Sequence, residues 1–288
     1  MGRLGDQIGV IRQIPRIQTI TWLAFVAGFA VVYFPVLALL VSAWYGSDDF
    51  SYGFAIIPIF LYMVWNERNR LAAITPAGSW VGLPVVVGSI AAHLFAQIGE
   101  ILTLSSVSMV IFIWGCVIFL FGFGVFRACL YPLTFLFLMI PVPSQMYASL
   151  TLPLQLLVTR ATVVLTSLVG IPVFREGNVI NLTERTLQVV QACSGLRSIM
   201  TMLTLGAVIG FFTLRSPCTR WGLLLAGIPI AIVINILRLF IMVIVFQFIG
   251  IDLTEGPLHT LLGLSVFMVA LSFFILVQRG LARCEKYL

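Results

Sequence analysis

Long apolar stretches alternate with short polar ones along most of the chain, and this pattern predicts a bundle of membrane-crossing helices. A helix needs about 20 mainly apolar residues to cross a bilayer. The runs that we interpret as spans are Thr19–Trp44, Gly53–Trp65, Trp80–Gln97, Ile101–Phe123, Ala128–Ile140, Leu196–Leu214, Trp221–Gly250 and Leu261–Val277. The second run is short, and a re-entrant segment is the alternative. We count it as a span because basic residues follow it. The fourth and fifth runs are predicted to turn at Arg127, and Pro141 and Pro143 then end the helix.

The stretch Leu150–Val169 is apolar enough to form a helix, but polar residues interrupt it repeatedly. They are Gln155, Thr159, Arg160, Thr162, Thr166 and Ser167. A helix of that composition fits the membrane interface, or a position folded back into the bundle, better than a free crossing. We therefore predict about eight transmembrane helices and one interfacial or re-entrant helix, and whether this helix crosses stays open.

The most polar part of the chain alternates loosely in the manner of β-strands. Apolar residues recur between Ile171 and Gln191, with Glu176-Gly177-Asn178 as a turn signal between two candidate strands. The pattern predicts a small extracytoplasmic hairpin.

The composition agrees with a membrane protein. Hydrophobic residues make up 61% of the 288 and charged residues 9%, against about 25% charged in soluble domains. Because no soluble domain or repeat is evident, residues 1–288 are predicted to form a single integral membrane domain. The net charge of +6 comes from basic residues scattered between apolar runs, which argues against nucleic-acid binding. The five cysteines include no Cys-x-x-Cys pair, so neither a disulfide framework, a metal site nor a cofactor is predicted.

The distribution of charged residues between the runs predicts the orientation. Basic residues collect in cytoplasmic loops, and this holds if Met1 is inside and Leu150–Val169 does not cross. The inside positions are then Arg3, Arg12, Arg16, Arg68, Arg70, Arg127, Arg215, Arg220, Arg279, Arg283 and Lys286, whereas only Arg175 and Arg185 lie outside. Both termini are therefore predicted to be cytoplasmic.

Cys193 stands where the polar segment gives way to the apolar run that begins at Leu196. A helix N-terminus carries partial positive charge, which favours thiolate over thiol. Arg197, four residues on, would share its helical face and is predicted to add to that effect. The alternative is a small apolar residue at a helix start, as many cysteines are.

Two further residues give Cys193 a chemical context. Arg238 lies inside a long apolar run, where a charge is costly and generally marks a function. His259 begins the last span, with Glu255 close enough in sequence to orient it. Because two crossings separate Cys193 from His259, the two share one face of the membrane. The other histidine, His93, has no motif beside it and is predicted to be structural.

Together these residue types suit acyl transfer. A thiolate attacks a peptide carbonyl, and an imidazolium protonates the leaving amine. A guanidinium can stabilise the oxyanion or the thiolate without losing its own charge.

These residues also resemble those of the exosortase/archaeosortase family. The likeness rests on Ala192-Cys193-Ser194-Gly195, Asn235-x-x-Arg238, His259 at the head of the last span, the prolines at Pro141–Pro143 and the Gly170–Pro172 turn. The resemblance implies a bacterial inner-membrane cysteine transpeptidase with Cys193 as nucleophile, Arg238 as transition-state stabiliser and His259 as general acid/base. Ser194, Gly195 and Asn235 would support them.

The resemblance also implies the partners. The substrates would be exported proteins that end in a short motif, typically Pro-Glu-Pro, then a transmembrane helix and a basic tail, met within membrane lipid. Family members often carry Ser-His-Gly after the first span, where this chain has Ser51-Tyr52-Gly53, so His259 becomes the candidate histidine. A transporter or polysaccharide-export component, with Arg160 and Arg238 as anion ligands, and a non-catalytic scaffold are the alternatives.

Overall fold

A computed structural model describes residues 16–47, 49–182, 186–188, 195–251, 253 and 256–287, and this part is almost entirely helical. The helices are α1 Arg16–Gly46, α2 Gly53–Asn66, α3 Arg68–Ala72, α4 Gly82–Ile98, α5 Leu102–Phe135, α6 Ser144–Leu168, α7 Leu196–Thr213, α8 Pro217–Ile249 and α9 Gly256–Tyr287. A 3₁₀ turn, Leu136–Met139, follows α5. Cys193, Ser194 and Glu255 lie outside the described residues.

The lengths of these helices confirm a multi-pass membrane protein. Within the described ranges, six helical segments are long and apolar enough to cross a bilayer: Phe25–Gly46, Leu102–Met139, Gln145–Leu168, Leu196–Thr213, Pro217–Ile249 and Gly256–Glu285. Helices α2, with 14 residues, and α4, with 17, are apolar but shorter. The helix count of about eight therefore stays a prediction.

The break in α5 lies at a different residue from the one predicted. The predicted turn at Arg127 is wrong, because Arg127 lies within α5 and the helical backbone is interrupted at Gly122, with φ 82°. An extended segment approaches the helix here, and the backbone N–H of Ala77 donates to the Phe121 carbonyl at 3.2 Å. Glycine alone adopts this φ at little steric cost.

Contacts divide the chain into two compact units, residues 1–47 with 67–130 and residues 48–66 with 131–288. The single membrane domain stays a prediction, and each unit is described by itself. The first has an aromatic core in which Tyr33 is fully buried and its ring lies 5.4 Å from that of Phe112. His93, also buried, lies 4.8 Å from the Tyr33 ring. This position agrees with a structural histidine.

Helix α6 in the second unit turns its polar residues inward. The side chains of Thr151, Gln155, Thr159, Thr162 and Thr166 are all buried, and their spacing of three or four residues places them on one helical face. Leu152, Leu157, Val164, Leu165 and Leu168 are exposed on the outside. The polar face of α6 is therefore buried against protein. Whether this helix crosses the membrane stays a prediction, because Gln145–Leu168 is also long and apolar enough to do so.

The predicted hairpin is present and has one strand more. Strands β1 Phe174–Glu176, β2 Val179–Asn181 and β3 Thr186–Gln188 form an antiparallel sheet in that order. Gly177, with φ 60°, lies in the predicted turn. Buried side chains at Ile180, Val158, Leu239 and Leu253 form one hydrophobic cluster, so the hairpin packs on α6 and α8 beside the chain that leads into α9.

Candidate active site

The start of α7 lies against Asn235 of α8. Gly195 precedes the first residue of α7 in the left-handed conformation, with φ 83°. A Cβ atom added there would lie 2.9 Å from Asn235 Nδ2, and Asn235 is only 3% exposed. Glycine is therefore required both by its backbone angle and by the proximity of the amide. This contact places Gly195, the last residue of the Ala192–Gly195 motif, beside α8.

Arg238 lies three residues beyond Asn235, just under one helical turn, and it contacts His259. Its Nη2 atom is 2.7 Å from His259 Nε2, although 21 residues separate the two along the chain. His259 Nδ1 lies 2.8 Å from the Leu253 carbonyl oxygen. Two of the three predicted catalytic residues are thus hydrogen-bonded to each other, and the backbone before α9 fixes the histidine ring.

These contacts assign the histidine proton. A guanidinium has donors and no acceptor, so His259 Nε2 must accept from Arg238. The proton of the neutral ring is then on Nδ1, which donates to the Leu253 carbonyl. This tautomer leaves the Nε2 lone pair available as a base once Arg238 releases it.

Space is left around the Arg238 side chain. A Cβ atom at Gly263, four residues after His259 on α9, would lie 3.5 Å from Arg238 Nη2. The buried Nε atom of Arg238 has no hydrogen-bond partner among the described residues. A cavity of about 220 Å³ opens beside it, and its polar lining includes Arg197, Ser198, Thr201, Asn235 and Arg238. The guanidinium therefore keeps a buried N–H donor for a further acceptor.

Arg197, the second residue of α7, forms an ion pair with an acid that sequence reasoning did not select. Its Nε atom lies 2.5 Å from Asp49 Oδ1, and Tyr147 Oη donates to Asp49 Oδ2 at 2.8 Å. The Asp49 carboxylate therefore joins the loop before α2, the first turn of α6 and the first turn of α7. The effect of Arg197 on the Cys193 thiol stays a prediction, and the carboxylate of Asp49 offsets the charge of Arg197.

Tyr52 is the middle residue of Ser51-Tyr52-Gly53, where the resemblance would place a histidine. Burial, reinforced by the nearby negative charge of Asp49, raises the pKa of Tyr52 to about 12. The phenol is therefore neutral at physiological pH and is not a base there. Elsewhere in the described ranges, no group of three His, Cys, Asp or Glu side chains is placed to hold a metal ion.

Comparison with known proteins identifies the family. The profile of the transmembrane exosortase family matches residues 44–276. The chain belongs to this family. The match covers Gly195, Asn235, Arg238 and His259, the residues that form the site described above. No curated protein and no solved structure matches this exosortase. Family membership makes it a multi-pass membrane protein concerned with the processing of sorting signals.

Sequence reasoning found some of the exosortase site and missed the rest. The structure brings together Gly195, Asn235, Arg238 and His259, while the predicted Cys193, Ser194 and Glu255 lie outside the described residues. Asp49, Tyr147, the Leu253 carbonyl and Gly263 were missed. Only Gly263 carried a signal, since it is four residues from His259 and so on the same face of α9.

Proposed function

We propose that this exosortase is a membrane-embedded cysteine protease and transpeptidase that cleaves C-terminal sorting signals of exported proteins. Cys193 is the nucleophile, Arg238 the transition-state stabiliser and His259 the general acid/base. The observation that carries the proposal is the 2.7 Å contact between Arg238 Nη2 and His259 Nε2. Arg238 lies on α8, the helix whose Asn235 lies against Gly195. Gly195 follows the proposed nucleophile by two residues in the sequence.

The proposed reaction proceeds through a thioester. His259 Nε2 takes the thiol proton, and the Cys193 sulfur attacks the carbonyl carbon of the scissile peptide bond. The unused Nε–H of Arg238 donates to the oxyanion of the tetrahedral intermediate. The C–N bond then breaks as the imidazolium protonates the leaving amine. Water or an amine-bearing acceptor attacks the thioester, which releases the product and restores the thiol.

The supporting residues hold this arrangement. Asn235 lies against the backbone at Gly195, and Ser194 is proposed to support the nucleophile that it follows in the sequence. Arg197 adds positive charge near the thiol, moderated by Asp49. Glu255, four residues before His259, is proposed to orient the histidine ring together with the Leu253 carbonyl.

The proposed setting is the bacterial cytoplasmic membrane, with both termini cytoplasmic and the site at the outer face. The bundle would have about eight crossings, counting the shorter α2 and α4 and the two parts of α5 on either side of Gly122, and leaving α6 within the bundle without crossing. Substrates are proposed to carry a short motif of the Pro-Glu-Pro type, a transmembrane helix and a basic tail. That helix would reach the site laterally through membrane lipid, so no soluble substrate channel is required.

The experiment is co-expression of the enzyme with a tagged substrate of this type. Cys193→Ala is expected to abolish processing, and Cys193→Ser to lower it by several orders of magnitude, because an alcohol is a far weaker nucleophile. Cys218→Ala, at an exposed cysteine, is the matched control and should process normally. Processing that persists in Cys193→Ala would refute the proposed cysteine protease activity. It would favour the alternatives of a transporter, an export component or a scaffold.

A second measurement tests the proposed side of the membrane. In a variant that retains Cys193 as its only cysteine, a membrane-impermeant maleimide should label intact cells. Labelling that requires prior lysis would place the nucleophile at the cytoplasmic face and contradict the proposed orientation.

A further inference from the structure

One cavity of the second unit is an apolar groove with two arginines. It measures about 1010 Å³ and lies among α6, α8 and α9 and the first strand. Its apolar lining includes Leu157, Val164, Leu165, Val233, Leu237 and Phe273, all of them exposed. Among the residues that the structure describes, the charged side chains that line it are Arg160 and Arg175. In a multi-pass membrane protein, a surface of this kind faces lipid.

Both arginines line this groove. Arg160 is eight residues before the end of α6 at Leu168, about 12 Å along the helix axis. Arg175 lies on β1, which follows that end, and its Nη1 atom donates to the Gly177 carbonyl. Neither arginine pairs with a carboxylate in the part of the chain that the structure describes. Both guanidinium groups can therefore donate hydrogen bonds to an anionic partner.

The shape of the lining distinguishes a lipid from a helix as that partner. Helices associate in membranes through small residues that let their backbones approach closely, but this lining is dominated by leucine, valine and phenylalanine. Bulky branched surfaces of this kind suit flexible acyl chains. The head group of such a lipid would lie against the two positively charged arginines. A phosphate group has the opposite charge and accepts bidentate bonds from arginine.

We propose that this groove binds one anionic phospholipid, with its phosphate between Arg160 and Arg175 and an acyl chain along α6 and α8. The site lies beside the proposed catalytic residues, and the two share Ile234 of α8 in their linings. The inference does not depend on catalysis, because lipid retention can be measured in a Cys193→Ala protein.

The test is native mass spectrometry of the full chain released from nanodiscs of equal phosphatidylglycerol and phosphatidylcholine. The protein is expected to retain one phosphatidylglycerol in preference to phosphatidylcholine. Arg160→Gln and Arg175→Gln should each weaken that binding about tenfold or more, because each removes charged hydrogen bonds. The double variant should retain no excess phosphatidylglycerol. The matched control removes two exposed arginines elsewhere, Arg279→Gln with Arg283→Gln, and should retain it normally.

A second pair of variants tests the acyl-chain part of the groove. Val164→Trp fills the groove and should reduce retention, whereas Leu264→Trp, at an exposed residue outside its lining, should not. Excess inorganic phosphate should fail to displace the lipid. Unchanged retention in the double arginine variant, or displacement by phosphate alone, would overturn the proposal. The proposal would also be overturned if the Val164→Trp protein kept the lipid but no longer bound a substrate helix or a second copy of the chain.

Discussion

The contact between Gly195 and Asn235 gives a prediction whose size can be worked from the structure. In Gly195→Ala, the new side chain must adopt φ 83°, which costs an L-residue roughly 1–2 kcal/mol. Its Cβ would also lie 2.9 Å from Asn235 Nδ2 and 3.3 Å from Asn235 Cγ. Because Asn235 is buried on α8, its side chain must leave its rotamer, at about 0.5–1.5 kcal/mol. We expect a total loss of roughly 2 kcal/mol, or about 5 °C in Tm.

The effect on processing should exceed the effect on stability. The displaced Asn235 lies on the same helix as Arg238, and a shift of about 1 Å at a reacting group can cost about a hundredfold in rate. We expect processing by Gly195→Ala to fall by about tenfold or more while the protein stays folded. The assays are thermal unfolding of the purified protein in detergent and the rate of cleavage of a tagged substrate.

Gly250 provides the matched control. It ends α8 with a similar φ of 74°, but a Cβ atom there would meet nothing within 4 Å. Gly250→Ala should therefore lose only the backbone part, roughly 1–2 kcal/mol, and process normally. In an Asn235→Ala background, Gly195→Ala should likewise cost only the free energy of the left-handed backbone angle. Equal losses of stability and of processing in Gly195→Ala and Gly250→Ala would refute the proposed contact.

Three other predictions concern the surroundings of the site. Gly263→Leu should displace the Arg238 guanidinium, since even a Cβ atom lies 3.5 Å from Nη2, and should reduce cleavage with little change in Tm; normal cleavage would exclude this crowding. Asp49→Asn should cost no more than about 1 kcal/mol in unfolding, because the ion pair with Arg197 is partly exposed, yet it should speed alkylation of the nucleophile by iodoacetamide. A slower reaction would contradict that electrostatic effect. Because the pKa of Tyr52 is raised to about 12, Tyr52→Phe should leave the pH dependence of cleavage unchanged below pH ~10, and a lost ionisation near neutrality would contradict the assignment.

The sequence predicted the membrane class and the hairpin because each depends on a local pattern, and it selected Arg238 and His259 because of their places in the apolar runs and in a short motif. The polarity of α6 was the harder feature. Thr151, Gln155, Thr159 and Thr162 recur at helical spacing, which indicates a single polar face, but the number of polar residues alone left both the membrane interface and a position folded back into the bundle open. Periodicity was therefore the more informative signal.

Other features could not be read from the chain. Asp49 and Arg197 are 148 residues apart, and no local pattern indicates that the loop before α2 meets the start of α7. The Leu253 carbonyl is a backbone group that any residue could supply. The break at Gly122 falls in a run that also contains Gly115 and Gly124, and only the approach of an extended segment distinguishes it.

The most direct test is to trap the covalent intermediate. Purified enzyme in lipid, mixed with a substrate peptide and quenched in acid, should yield a thioester between the Cys193 sulfur and the N-terminal substrate fragment, identified by mass spectrometry and released by hydroxylamine. Arg238→Gln and His259→Gln should form it at least about a hundredfold more slowly. Cleavage that proceeds without any adduct on Cys193 would contradict the account.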